Sequence, residues 1–244
     1  MAKSAIIIGG SGLVGRRLVE SLLQDANVSR VVSLGRREVH ADQVCPTCTD
    51  DQKAKFLSVV VDFLNLSKNQ SDFEGHDVGF ITLGTTYKDA GSNAEKFREI
   101  DYAYCLNFAK LYQLVNSSRP THICLLTSGG SNPGSFFLYP RTKGELERDC
   151  ANIGLNKLTI FRPGLLVPAS SKDTRFNSER SGESVALKIL PYVNWIVPTH
   201  LSSSTTSVGI AMWKKGMESV SKGAGSTTVE ILENKDIRQI APIS

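Results

Sequence analysis

The sequence is first narrowed by what it lacks. No apolar run approaches the ~18 residues that a bilayer-spanning helix needs. The longest early one, residues 5–8, stops at two glycines. It is too short for the core of a secretory signal, and no Arg/Ser-rich amphipathic presequence precedes it. The mature chain is therefore expected to start at or near Met1 and to have no membrane span. Cysteine is scarce: five residues, an odd number without framework spacing, point to a reducing compartment and a cytoplasmic protein. A surplus of charge is lacking too. Lys and Arg number 28 against 24 Asp and Glu, and the resulting +4 is too small and too scattered for a nucleic-acid footprint.

What is present is ordinary for a globular protein: 41% apolar and 21% charged residues with 20 Gly and 9 Pro, which excludes a disordered or collagen-like chain. A chain of 244 residues buries roughly 70–75% of its unfolded surface and needs neither disulfides nor a structural metal to fold. No repeat or linker divides it, so residues 1–244 are expected to form one domain. About 1–165 would be the cofactor-binding core and about 166–244 the pocket and C-terminal elements.

Short β-branched runs alternate with stretches of helical period, the pattern of βαβ units and a parallel doubly wound sheet with helices on both faces. Strands are predicted at 4–8, 30–34, 57–61, 78–83, 122–126 and 158–161, and a late one at 228–232. Helices are predicted at 13–24, 94–115, 139–153 and 208–217, the last capped from the Ser/Thr cluster 202–207, with a short one at 235–240. Between 167 and 201 the pattern loosens into a polar stretch, a short helical stretch at 185–190 and an apolar, aromatic one at 192–198.

The chemistry begins directly after the first strand. Gly9-Gly10-Ser11-Gly12-Leu13-Val14-Gly15 opens a helix with glycines at Gly9, Gly12 and Gly15. They suit a tight turn, a close approach of backbone to pyrophosphate, and a close helix-to-strand contact, the helix N-terminus facing the anion. Where an NAD enzyme places an acid on the ribose, this chain has Arg36 and Arg37. Two guanidinium groups suit a 2′-phosphate, which predicts NADPH as the cofactor. Asp62, after the third strand, is placed to accept from an adenine amino group, and the turn Gly84-Thr85-Thr86 to pass under the nicotinamide ribose.

After the fifth strand come Ser128, with Ser131 as a rival, and then Tyr139-Pro140-Arg141-Thr142-Lys143. A Tyr and a Lys four apart share a helix face. The ammonium there favours the phenolate and makes Tyr139 a usable proton donor, and a strand-end Ser hydrogen-bonds the substrate oxygen.

The order Gly9-x-x-Gly12-x-x-Gly15, Ser128, Tyr139-x-x-x-Lys143 and Phe161-Arg162-Pro163-Gly164 resembles the atypical branch of the short-chain dehydrogenase/reductase superfamily. Gly75-His76-Asp77-Val78-Gly79-Phe80, Leu83-Gly84-Thr85-Thr86, Lys143-Gly144-Glu145 and Leu232-Glu233-Asn234-Lys235 are similar to the Tat-interacting oxidoreductase family, which has fungal relatives on the mitochondrial outer membrane. The resemblance spans essentially the whole chain. It implies an NADPH-binding Rossmann domain with Ser128, Tyr139 and Lys143 as the catalytic set acting on a small carbonyl substrate. Ser11, Gly12, Leu13, Val14, Arg36, Arg37, Leu83, Gly84, Tyr139, Lys143 and Leu166 would touch the cofactor. It also implies a rival role, a non-catalytic NADPH-binding regulator with protein partners in nuclear import or transcription, and peripheral association with the mitochondrial outer membrane. One position departs from the superfamily pattern: Asp101 stands where many of these enzymes have Asn, and an ionised carboxylate cannot donate hydrogen bonds.

Cys45-Pro46-Thr47-Cys48 lies outside that resemblance. A single thiol pair, even with His40 nearby, does not complete a tetrahedral metal site, so no metal is expected and the segment reads as a solvated loop. His122 and His200 read as structural, and Phe136, Phe137, Tyr192 and Trp195 as core or pocket lining.

Overall fold

A computed structural model of the chain describes residues 2–168, 202–222 and 226–242. The features expected between 170 and 198, with Tyr192, Trp195 and His200, lie outside the described residues.

The apolar runs form β1 (Lys3–Ile8), β2 (Val28–Gly35), β3 (Phe56–Val60), β4 (Val78–Ile81), β5 (His122–Leu126) and β6 (Lys157–Arg162), followed by β7 (Leu165–Val167), β8 (Ser202–Ser204) and β9 (Thr228–Glu233). Seven of them make one sheet in the order β3-β2-β1-β4-β5-β6-β9, with every neighbouring pair parallel. A strand buried on both faces needs apolar residues at consecutive positions, and the alternation follows. Ile6, Ile8, Val32, Leu34, Ile123 and Leu125 enter one core layer, while Ala5, Ile7, Val31, Phe80 and Cys124 enter the other.

Helices close both layers. Leu18, Val19, Leu22 and Leu23 of α1 (Leu13–Gln24) share the second layer with the later helix that spans Thr205–Gly216. That later helix starts earlier than its predicted bound at 208, because the Ser204 hydroxyl accepts the Ser207 N–H at 2.9 Å and caps it. On the other face, helix α5 (Cys105–Asn116) and α6 (Leu138–Ala151) pack Phe108, Tyr112, Leu146 and Cys150 against the sheet. Here α2 (Ala41–Val44), α3 (Asp50–Lys53) and α4 (Ala94–Arg98) are the short helices before α5. With the Thr205–Gly216 helix as α7, the final helix is α8 (Asn234–Ile240).

Two expectations are corrected. The helix predicted over 94–115 is α4, a π-turn at Glu99–Tyr104, and α5 in succession. The widened turn rotates the residues it contains, and Asp101 is buried at its centre. Hydropathy of period 3.6 carries no sign of such an inserted residue. The segment at 45–48 is not a solvated loop: Cys45 and Cys48 are joined in a disulfide and both are buried in the α1 layer. Thr47 donates to Glu20 on α1 at 3.2 Å, so the segment docks on the helix that carries the glycine loop.

Among the described residues no helix is long and apolar enough to cross a membrane, and no group of three or more His, Cys, Asp or Glu is arranged to hold a metal.

Candidate active site

The winding of the sheet reverses between β1 and β4, which leaves a crevice beyond their carboxyl ends. There a cleft of about 440 Å³ opens, with Gly9, Gly10, Ser11 and Gly12 as its floor, Arg36 and Arg37 on one side and Leu83 and Gly84 on the other. The floor works because it is bare. Gly9 has φ +82° and a Cβ on it would lie 2.5 Å from the Leu83 nitrogen; one on Gly10 would lie 2.6 Å from Ser33 Oγ. Gly12 caps α1, and the first turn contains no acid and no side-chain cap, so its N–H groups face the cleft uncompensated. Leu13 is half-buried behind the loop. Val14 points into the core, and Gly15 lies so close to Gly9 that a Cβ would come within 2.1 Å of its carbonyl oxygen. Arg36 and Arg37 are exposed and have no ion-pair partner among the described residues.

Asp62 stands beside this cleft but is engaged in its own turn. It accepts from Asn65 at 2.6 Å and from the Leu64 N–H at 3.0 Å, and these bonds hold its carboxyl below the usual carboxylate range. The residue that lines the cleft here is Phe63, stacked on Tyr104 with ring centres 5.0 Å apart. Sequence reasoning missed it, and the available signal was an aromatic directly after the strand-end acid. Leu166 lies in β7, half-buried against the α1 layer and outside the cleft lining.

The second half of the site follows β5. The Thr127 and Gly129 N–H groups bond the carbonyls of Phe161 (2.9 Å) and Pro163 (2.8 Å), which extends the β5–β6 pairing to the strand end. Thr127 also donates to Glu147 at 2.5 Å, and Arg162 clamps that carboxylate through two nitrogens, at 2.5 and 3.1 Å. Between these fixed residues the Ser128 hydroxyl is buried and has no hydrogen-bond partner among the described residues. Ser131 instead donates to the Ser128 carbonyl at 2.7 Å. Geometry therefore separates the two serines: Ser128 retains its bonding capacity and Ser131 spends its own.

Tyr139 opens α6 with its ring 45% exposed, 5.9 Å from the Phe97 ring centre. One turn later Lys143 is buried, its Nζ 6.0 Å from the centre of the Tyr139 ring. Nζ is 2.8 Å from Asp101 Oδ1, while Asp101 Oδ2 accepts the Thr85 N–H at 2.8 Å. Burial pulls the Lys143 pKa down, but the charge of Asp101 outweighs it and holds the side chain as an ammonium. The pair abuts the cleft: a Cβ on Gly84 would lie 3.3 Å from Asp101 Oδ1 and 3.4 Å from Lys143 Nζ. Phe136 and Phe137, in the loop before Tyr139, are exposed and belong to neither core layer.

The architecture recurs in solved proteins. The YIR035C short-chain dehydrogenase/reductase of Saccharomyces cerevisiae superposes with a TM-score of 0.67 at 15% identity, covering 99% of this chain and all of that one. The PhqB reductase domain of Penicillium fellutanum gives a TM-score of 0.64 at 13% identity over 96% of this chain and 67% of that one. The fold is that of these short-chain dehydrogenase/reductases.

Rat protein HTATIP2 is 32% identical over 237 residues, 96% of this chain and 88% of that protein. The protein FMP52, mitochondrial, of Candida albicans is 32% identical over 202 residues, 81% of this chain and 79% of its own. The chain belongs to the HTATIP2 family, to which it is related along nearly its whole length. No family model matches it.

Proposed function

We propose that this protein is an NADPH-dependent reductase of small carbonyl compounds. The observation that carries the reading is the buried Lys143 ammonium one turn beyond the half-exposed Tyr139, with the unpartnered Ser128 hydroxyl at the preceding strand end.

The cleft fits the dinucleotide. A floor of three glycines and Ser11 admits a pyrophosphate against the backbone of Gly9 to Gly12 and the first turn of α1, where Ser11, Leu13 and Val14 offer N–H groups. Arg36 and Arg37, with no ion-pair partner among the described residues, suit the 2′-phosphate, Phe63 and Asp62 stand at the adenine end, and Leu83 and Gly84 border the ribose. The bound nicotinamide would supply a hydride to the carbonyl carbon. Tyr139 gives its hydroxyl proton to the carbonyl oxygen. Ser128 donates a hydrogen bond to that oxygen as charge collects on it, and Lys143 keeps a positive charge under the phenol. Leu166, just after β6, would close the nicotinamide end.

Fluorescence titration with NADPH and NADH at fixed salt tests the cofactor. NADPH should bind more tightly, and Arg36→Ala/Arg37→Ala should remove the advantage, about 1.5–3 kcal/mol for a lost charged partner. Equal affinities in the wild type would contradict the assignment.

A second reading, a nucleotide-binding regulator acting through protein partners, is favoured by one observation: the Lys143 ammonium is committed to Asp101. It predicts a protein that binds NADPH and reduces nothing. Its site of action would be cytoplasmic or peripheral on mitochondria, the compartment named for the fungal relative, and cell fractionation distinguishes the two.

A further inference from the structure

We propose that Asp101 sets the pH at which Tyr139 can give up its proton, acting through Lys143 as a positioning residue rather than touching substrate. The inference rests on the reading of Tyr139 as the proton donor.

The chain places Asp101 with care. The π-turn at Glu99–Tyr104 turns it inward, and 1% of its side chain is exposed against 4% for that of Lys143. Oδ2 accepts the Thr85 N–H and Oδ1 lies 2.8 Å from Nζ, so the carboxylate faces the ammonium. The backbone of Gly84 lies against the pair, and a Cβ there would press on Asp101 Oδ1 at 3.3 Å. Burial pushes the Asp101 carboxyl up, and the attraction of Lys143 opposes it.

The consequence is electrostatic. An isolated ammonium this close to a phenol stabilises the phenolate. An ammonium with a carboxylate at 2.8 Å is a dipole, and it favours a phenolate less than the ammonium alone would. Few other groups interfere. From α5 the neighbour is Cys105, whose thiol burial pushes up to about 12, so that it stays neutral. From α6 the neighbour is Tyr139 itself, and the loop at Gly84 and Thr85 contributes no ionisable side chain.

Tyrosinate absorbance measures the effect without any substrate. Difference titrations against the matching Tyr139→Phe background isolate the Tyr139 signal in the wild type, Asp101→Asn, Lys143→Met and the Asp101→Asn/Lys143→Met double variant. Tyr139 should ionise at lowest pH in Asp101→Asn, about one unit or more below wild type. The double variant, neutral like the native pair, should ionise near the wild type, and Lys143→Met, with its carboxylate left alone, at the highest pH.

Where a carbonyl is reduced, the alkaline limb of the rate profile should move down in Asp101→Asn by the same amount. Coincident titrations in wild type and Asp101→Asn, or no upward shift in Lys143→Met relative to the double variant, would overturn the proposal. A wild type that titrates as described yet reduces no carbonyl would overturn the reductase reading instead. The double variant has no unpaired buried charge, so it keeps the comparison with wild type available if a single variant does not fold.

Discussion

His76 is a buried ring held by a hydrogen bond at each nitrogen. Its Nε2 lies 2.9 Å from the Asp72 carbonyl, which only accepts, so Nε2 carries the proton and Nδ1 accepts from the Ser4 hydroxyl at 2.9 Å. Burial draws its pKa down to about 4, and burial with the charge of Lys157 draws that of His122 down to about 3. A histidine whose folded value lies below its unfolded one takes up its proton first in the unfolded chain. The stability it contributes is complete above about 6.5 and falls as pH drops toward those values. Unfolding free energies from urea titrations should therefore decline between pH 6.5 and 4, by up to about 1.4 kcal/mol per pH unit for each histidine. His76→Gln should reduce that slope, and a flat profile would contradict it. Single residues of this kind were only partly legible in the sequence. His122 reads as structural because nothing near it completes a site. The choice between Ser128 and Ser131 needs the Ser131 bond to the Ser128 carbonyl, a contact that no spacing rule encodes.

Elements were legible where both faces of a strand are buried and illegible where a tertiary contact decides. The parallel strands appear as apolar runs because neither face meets water. The π-turn at Glu99–Tyr104 does not appear, since the inserted residue leaves the hydropathy pattern intact while Thr85 and Lys143, distant in sequence, hold Asp101 inward. The docked segment at Cys45 and Cys48 reads as solvated because it looks like an insertion between two strands, yet both cysteines are buried against α1. Helix α6 depends on a backbone contact too. A Cβ on Gly144 would lie 2.3 Å from the Pro133 nitrogen and 2.4 Å from the Asn132 carbonyl carbon. Backbone cannot yield as a side-chain tip can, so Gly144→Ala should push α6 off the 132–133 loop and move Tyr139 and Lys143 with it. Melting temperature and NADPH affinity should fall together, by roughly 1–3 kcal/mol in stability. An unchanged affinity at lowered stability would show that the displacement does not reach the site.

At the scale of the whole molecule, two core layers hold one sheet whose reversal point carries the glycine loop, the two arginines and the strand-end serine at the same edge. That edge was the most readable feature of the sequence, because Gly-loop spacing and Tyr-x-x-x-Lys are local patterns in a fixed order. The claim on which the account turns is that Tyr139 is the proton donor of a carbonyl reductase. NADPH oxidation against a panel of aldehydes, ketones and quinones, with wild type and Tyr139→Phe compared at matched NADPH occupancy, tests it most directly. The account predicts that Tyr139→Phe binds NADPH like its parent while turnover falls by ~10²–10⁴, the usual loss of a general acid. A wild type that binds NADPH and reduces nothing on that panel, or a Tyr139→Phe protein as active as its parent, would contradict it.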